Sequence, residues 1–434
     1  MSETPAAPQQ DELGGSEARF SASDPGKAWR RGQGLPVVPA FDGYRAWAIL
    51  GIVLFHVFFV TQILISSLHS DWGLFTWAIL PRGIETLFIV SGFVVFLPTV
   101  ARDGAFGRVG AYAIRRGARI LPAYWVALVV SIVLLATLTR SPGVPGFGPI
   151  LEHFTMLQTP ALLWDASFPL GLGVIAPVWT LSPEITFYIV LPLVATYFFR
   201  HPFWALAGAV VIVLLWHALA HNADSVAGFF GGGLSQAADG RIDRFYASQF
   251  PNWVFAFAVG MVGAWAYVRI RDRWPAELIE KRAAVVTVLG LLALAPFVYL
   301  AWHDAVGDSQ GIYAHEPLAV TFGYPAALAT TMVALSLAPA WMQWPVANGA
   351  IRRIADVSYG VYLIHFAVIF FALREFSLPQ DRSVWAVVSW SLVVFPVSLA
   401  YGYLSARFLE RPIRRWAHRF GRREQAAAEA RAPA

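Results

Sequence analysis

The chain has 434 residues, 57% of them hydrophobic and 14% charged. That balance excludes an ordinary soluble domain, and apolar runs unbroken over about twenty residues disfavour a β-barrel, whose strands alternate over about ten. The net charge of +5 does not call for nucleic acid, since most arginines flank apolar runs as topology requires, and the absence of cysteine removes disulfides, thiolate nucleophiles and cysteine metal sites.

Residues 1–40 are rich in Pro, Ala, Gly, Ser and Gln and lack a leader pattern, so a disordered cytoplasmic tail is expected. A first span is predicted from about Tyr44 to Ile65 and a second from Gly83 to Val100, joined through His69, Asp71 and Trp72. Arg102, Arg108, Arg115, Arg116 and Arg119 follow, and Pro122 is placed in the first turn of a third span ending near Leu138. A long connection through His153 and Trp164 leads to a fourth span, Val178 to Phe199, and a fifth, Phe203 to Leu219. Spans six to ten are read at Trp253 to Val268, Ala283 to Tyr299, Leu318 to Leu337, Ser358 to Leu373 and Val384 to Leu404.

The expected fold is therefore all-α: a multipass transmembrane helix bundle of about ten spans. Ten spans return both termini to one side. The arginine groups at Arg102 to Arg119, Arg269 to Arg282 and Arg407 to Arg423 share that side, which makes the termini cytoplasmic and the plasma membrane the expected location. Residues 41–415 read as the membrane domain and 416–434 as a basic, Ala-rich cytoplasmic tail.

Ionisable groups at membrane depth need a partner or a function. Arg45 and His56 stand eleven positions apart on one apolar run, so a helix carries the imidazole roughly 16 Å beyond an arginine at the inner rim. Glu85 and Glu184 are expected at comparable depth, entering from the outer side. An imidazole with a carboxylate nearby is the equipment of a general base; His56 could equally make a hydrogen bond between helices. Glu85 has Arg82 three positions before it, so a local ion pair competes with catalysis. Arg115 and Arg119 share a helix face and, with Arg116, could clamp phosphates or merely mark topology. His365 reads as a helix-packing hydrogen bonder. No histidine pair has the spacing of a helix-borne zinc site, so no metal is expected.

Several segments together resemble the acyltransferase-3 family of multipass membrane acyltransferases. Phe41-Asp42-Gly43-Tyr44-Arg45 is similar to its opening motif, and Arg45 with His56 reproduces its arginine-ten-residues-histidine spacing. Residues 84–93, Arg115 with Arg119, Ile120 to Tyr124, Trp179 to Tyr188, Ser358 to His365 and Glu410-Arg411-Pro412 resemble its later motifs in order. Glu85 stands where the family more usually has Asp.

The resemblance implies an acyl-CoA-dependent O-acyltransferase moving an acyl group, most simply acetyl from acetyl-CoA, to a hydroxyl of a carbohydrate or cell-envelope glycan. In that reading His56, Glu184 and Glu85 are catalytic, with the carboxylates orienting the imidazole, and Arg45, Arg115, Arg116 and Arg119 hold the donor. The expected partners are acyl-CoA, the hydroxyl acceptor and the lipid bilayer. Alternatives are an acyltransferase acting on a macrolide-like secondary metabolite, and a proton-coupled multipass transporter.

Overall fold

The computed structural model describes residues 38–63, 74–137, 144, 146–163, 177–223, 244–307 and 316–429. The expected tail up to residue 37, the segment with His69, Asp71 and Trp72, and Trp164, His315 and residues 430–434 lie outside the described residues. Within them the protein is helical without strands, and ten segments are long and apolar enough to cross a membrane.

The helices are α1 (Pro39–Val60), α2 (Gly83–Ala101), α3 (Val109–Thr137), α4 (Phe147–Phe154), α5 (Leu181–Arg200), α6 (Pro202–His221) and α7 (Phe250–Arg273). They continue with α8 (Ala276–Gly307), α9 (Leu318–Leu337), α10 (Ala340–Ala347), α11 (Gly349–Glu375), α12 (Val384–Ser405) and α13 (Arg411–Glu429). Local chemistry sets several ends. Pro39 opens α1 and Pro202 opens α6, where a missing N–H leaves nothing unpaired. Asn348 caps α11 by accepting from the Ala350 and Ile351 amides at 3.1 Å each, and Ser383 caps α12 by accepting from the Ala386 amide at 3.0 Å.

The third span departs from expectation. Pro122 lies inside α3, not in its first turn, because the helix already starts at Val109 and runs through Arg115, Arg116 and Arg119. Hydropathy sees only the apolar half of such a helix. The arginines are therefore helix-borne and extend into the bundle.

Two packing relations position the site. A Cβ on Gly92 would lie 2.2 Å from the Phe257 carbonyl oxygen, and one on Gly260 2.3 Å from that of Ile89, so the backbones of α2 and α7 touch where they cross. Helices α1 and α11 run parallel in constant register. Arg45 Nη2 donates to the Ala355 carbonyl at 3.2 Å near one end, and His56 meets His365 farther along.

Candidate active site

The α1–α11 register brings two imidazoles together. His56 Nδ1 lies 2.8 Å from the Ile52 carbonyl oxygen and His365 Nδ1 2.7 Å from that of Tyr362. A carbonyl only accepts, so both Nδ1 atoms carry the proton. The neutral rings then hold their lone pairs on Nε2. His365 Nε2 faces His56 Nδ1 at 3.3 Å and accepts a second share of that N–H. His56 Nε2 keeps its lone pair. His365 is fully enclosed, whereas His56 retains some exposed surface beside Phe55 and Phe366.

A second feature is a cavity among α1, α2, α3, α5 and α11, lined by Arg45, Arg116, Arg119, Ser91, Glu184, Tyr188, Ser358, Tyr359 and Tyr362 among others. Arg45 Nη2 also donates to Asp42 at 3.1 Å, while its buried Nε has no partner. Arg116 stacks between the rings of Tyr112 and Tyr188, at 5.7 and 5.4 Å from their centroids. Arg119 makes no salt bridge among the described residues; its charge is felt at Arg45, Arg414 and buried Glu410. Glu184 Oε1 accepts from Ser91 Oγ at 2.8 Å and from Tyr188 Oη at 2.5 Å. The Tyr362 hydroxyl, held by Thr180 Oγ1 and the Pro177 carbonyl, also lines the cavity. One turn farther along α11 comes His365.

Glu85 belongs to a third group. Arg82 Nη1 donates to Glu85 at 2.7 Å and to Glu316 at 3.1 Å, and Arg82 Nη2 to Glu316 at 2.5 Å. Tyr324 stacks on the same guanidinium at 5.3 Å. Arg82 and Glu85 are 3% exposed, so this is a sealed ion triad.

The predicted residues thus fall into separate places. Antiparallel helices α1 and α2 are registered by Phe41 stacked on Phe93 at 3.6 Å. Ser91, and Glu184 bonded to it, therefore sit level with the first turns of α1, roughly 20 Å along the axis from His56. Arg45 is correspondingly deep: α2 continues eight residues beyond Phe93, about 12 Å past the Phe41 level. The expected juxtaposition of His56 with Glu184 and Glu85 does not occur, because the hydrogen bonds of both carboxylates go elsewhere. Arg45, Arg116 and Arg119 converge on the cavity. Arg115 is not among its lining residues; it lies near Arg102, whose pKa is lowered by burial and then by the Arg115 charge.

Sequence reasoning underweighted His365 and missed Tyr188, Thr180, Tyr362 and the Arg82–Glu316 pair. The signal for the first four was present in the segments Trp179 to Tyr188 and Ser358 to His365, which contain them, but nothing in a single chain shows that α1 and α11 run parallel. Among the described residues, no three His, Asp or Glu side chains cluster as a metal site.

The sequence profile of the acyltransferase domain matches residues 38–407. The chain is 22% identical over 397 residues to the peptidoglycan O-acetyltransferase OatA of Listeria monocytogenes, covering 87% of this chain and 56% of that protein. It is 23% identical over 401 residues to acyltransferase MdmB of Streptomyces mycarofaciens, covering 87% of this chain and 92% of that one. Nodulation protein 10 of Rhizobium leguminosarum bv. viciae is 27% identical over 190 residues, 40% of this chain and 48% of its own length. The chain therefore spans about half the length of two of these relatives. No solved structure matches it. With the profile running from the start of α1 to just past α12, the protein belongs to the acyltransferase-3 family of membrane acyltransferases.

Proposed function

We propose that the protein transfers an acyl group, acetyl in the simplest case, from cytoplasmic acyl-CoA to a hydroxyl of a carbohydrate or cell-envelope glycan. The carrying observation is the cavity itself: three arginines at one end, and at the other a tyrosine one turn from a histidine pair. CoA is polyanionic, and guanidinium groups recognise phosphate through paired, charge-assisted hydrogen bonds. Arg45, Arg116 and Arg119 hold that end of the donor, with Arg115 outside the lining and able to contribute only at the approach. The pantetheine arm extends along Ile49, Tyr359 and Tyr362 toward the histidines. Both termini then lie in the cytoplasm, as the arginine distribution along the chain favours.

His56 acts as general base through Nε2. The acceptor O–H proton passes to Nε2, the alkoxide oxygen attacks the thioester carbonyl, the C–S bond breaks as the ester C–O bond forms, and the departing thiolate takes the proton from Nε2–H. A covalent acyl-imidazole formed at the same Nε2 is the variant of this chemistry. Glu184 serves the donor cavity by fixing Ser91 and Tyr188, and Glu85 holds the triad that supports α2.

The test is transfer of label from acyl-CoA by the detergent-solubilised protein, with a glycan and a macrolide-like acceptor offered in parallel. Folded His56→Ala is expected to lose at least about 10²-fold in rate, and Arg45→Ala to require more donor. Wild-type rates in both would sink the reading. Solute uptake confined to sealed vesicles, without label transfer, would favour a carrier.

A further inference from the structure

We infer that His365 is the positioning residue of the reaction, the side chain that orients the His56 ring and shares the charge of the imidazolium that forms on it. The inference rests on the reading of His56 as general base.

A base histidine needs a partner on its far nitrogen that accepts a hydrogen bond. That partner keeps the lone pair on the reacting nitrogen and stabilises the charge that appears when a proton arrives. Carboxylates usually do this, and the sequence offers two at membrane depth. Neither is available: Glu184 is committed to Ser91 and Tyr188 roughly 20 Å away along the axis, and Glu85 to Arg82.

Two acceptors face His56 Nδ1: the Ile52 carbonyl of its own helix at 2.8 Å, which keeps the proton on that nitrogen, and, from α11, His365 Nε2 at 3.3 Å. His365 Nε2 can only be an acceptor, because the other nitrogen of that ring spends its proton on the Tyr362 carbonyl at 2.7 Å. The roles are not interchangeable. His365 is 0% exposed, so no acceptor hydroxyl reaches it, whereas His56 retains accessible surface.

The proton balance is closed by the pair. When the acceptor hydroxyl gives its proton to His56 Nε2, the positive charge is shared through Nδ1–H with the neutral His365 ring, and it leaves when the thiolate takes that proton back. The resting pair carries no charge, which suits an apolar bundle better than an ionised carboxylate would.

Two substitutions in the full-length protein separate anchoring from acceptance. His365→Asn places an amide N–H near the old Nδ1 and keeps the bond to Tyr362, but leaves His56 Nδ1 only the Ile52 carbonyl. His365→Gln places an amide oxygen near the old Nε2 and keeps the acceptor. The expected result is a fall of about 10²-fold in kcat for His365→Asn, with donor KM and melting temperature unchanged, and recovery to within about tenfold of wild type in His365→Gln. Wild-type kcat in His365→Asn, or equal losses in both variants accompanied by lowered melting, would overturn the assignment.

His56→Ala run alongside distinguishes the two levels. An active His56→Ala removes the base itself, while an inactive His56→Ala beside a fully active His365→Asn removes only the positioning role. A measurement on the unaltered protein stands whether or not the variants fold. Carbethoxylation by diethyl pyrocarbonate, mapped by mass spectrometry, is expected at His56 and absent at His365, and preferential labelling of His365 would reverse the roles.

Discussion

Two buried arginine clusters lie in the same bundle and differ in what completes them. Around Arg82, two carboxylates from different segments converge on one guanidinium and Tyr324 covers it, with Glu85 Oε2 left without a hydrogen-bond partner. Around Arg116 and Arg119, three arginines share a cavity lining with one carboxylate, and that carboxylate is bonded to hydroxyl groups, not to a guanidinium. The first arrangement is closed chemistry that holds helices together. The second has cationic donors left to offer, and in an apolar bundle an excess of that kind calls for an anion.

The largest expected effect breaks the first cluster. Arg82→Leu leaves Glu85 and Glu316 buried without their counter-charge, which costs about 3–5 kcal/mol; thermal unfolding in detergent should show a large fall in melting temperature. Unchanged melting would mean the triad is not structural. Next comes a change that hits both clusters at once, because α2 carries Glu85 into one and Ser91 into the other. Gly92→Leu forces a side chain into the Phe257 backbone and should cost about 1–3 kcal/mol or more, lowering stability and donor binding together.

The third prediction sharpens the contrast. Arg116→Leu removes a stacked cation from a half-buried site, so stability should shift by less than about 1 kcal/mol, while CoA affinity falls about tenfold, equivalent to about 1.4 kcal/mol. A large melting shift without loss of affinity would make the two clusters alike.

Much of the scaffold was legible in the sequence. The ten apolar runs announce ten spans because a bilayer imposes one length on all of them, and Arg82 three positions before Glu85 announced the ion pair. Depth was harder to read. Counting from the apparent start of a span put Glu184 beside His56 and Arg45 at the rim, yet Phe41 stacks on Phe93 in mid-α2, which moves both into the interior around the cavity. Pro122 matched the rule for a first turn, but α3 had by then run about three and a half turns and carried three arginines. The partner of His56 was hidden for a different reason: it lies 309 positions away, and only the parallel register of α1 and α11 brings it there.

If donor capture and base catalysis occupy two ends of one path, equilibrium binding of CoA to wild type, Arg119→Ala and His56→Ala separates them. Arg119→Ala is expected to bind CoA at least about tenfold more weakly, whereas His56→Ala is expected to bind it as wild type does while failing to transfer label. CoA bound equally well by wild type and Arg119→Ala would contradict that arrangement.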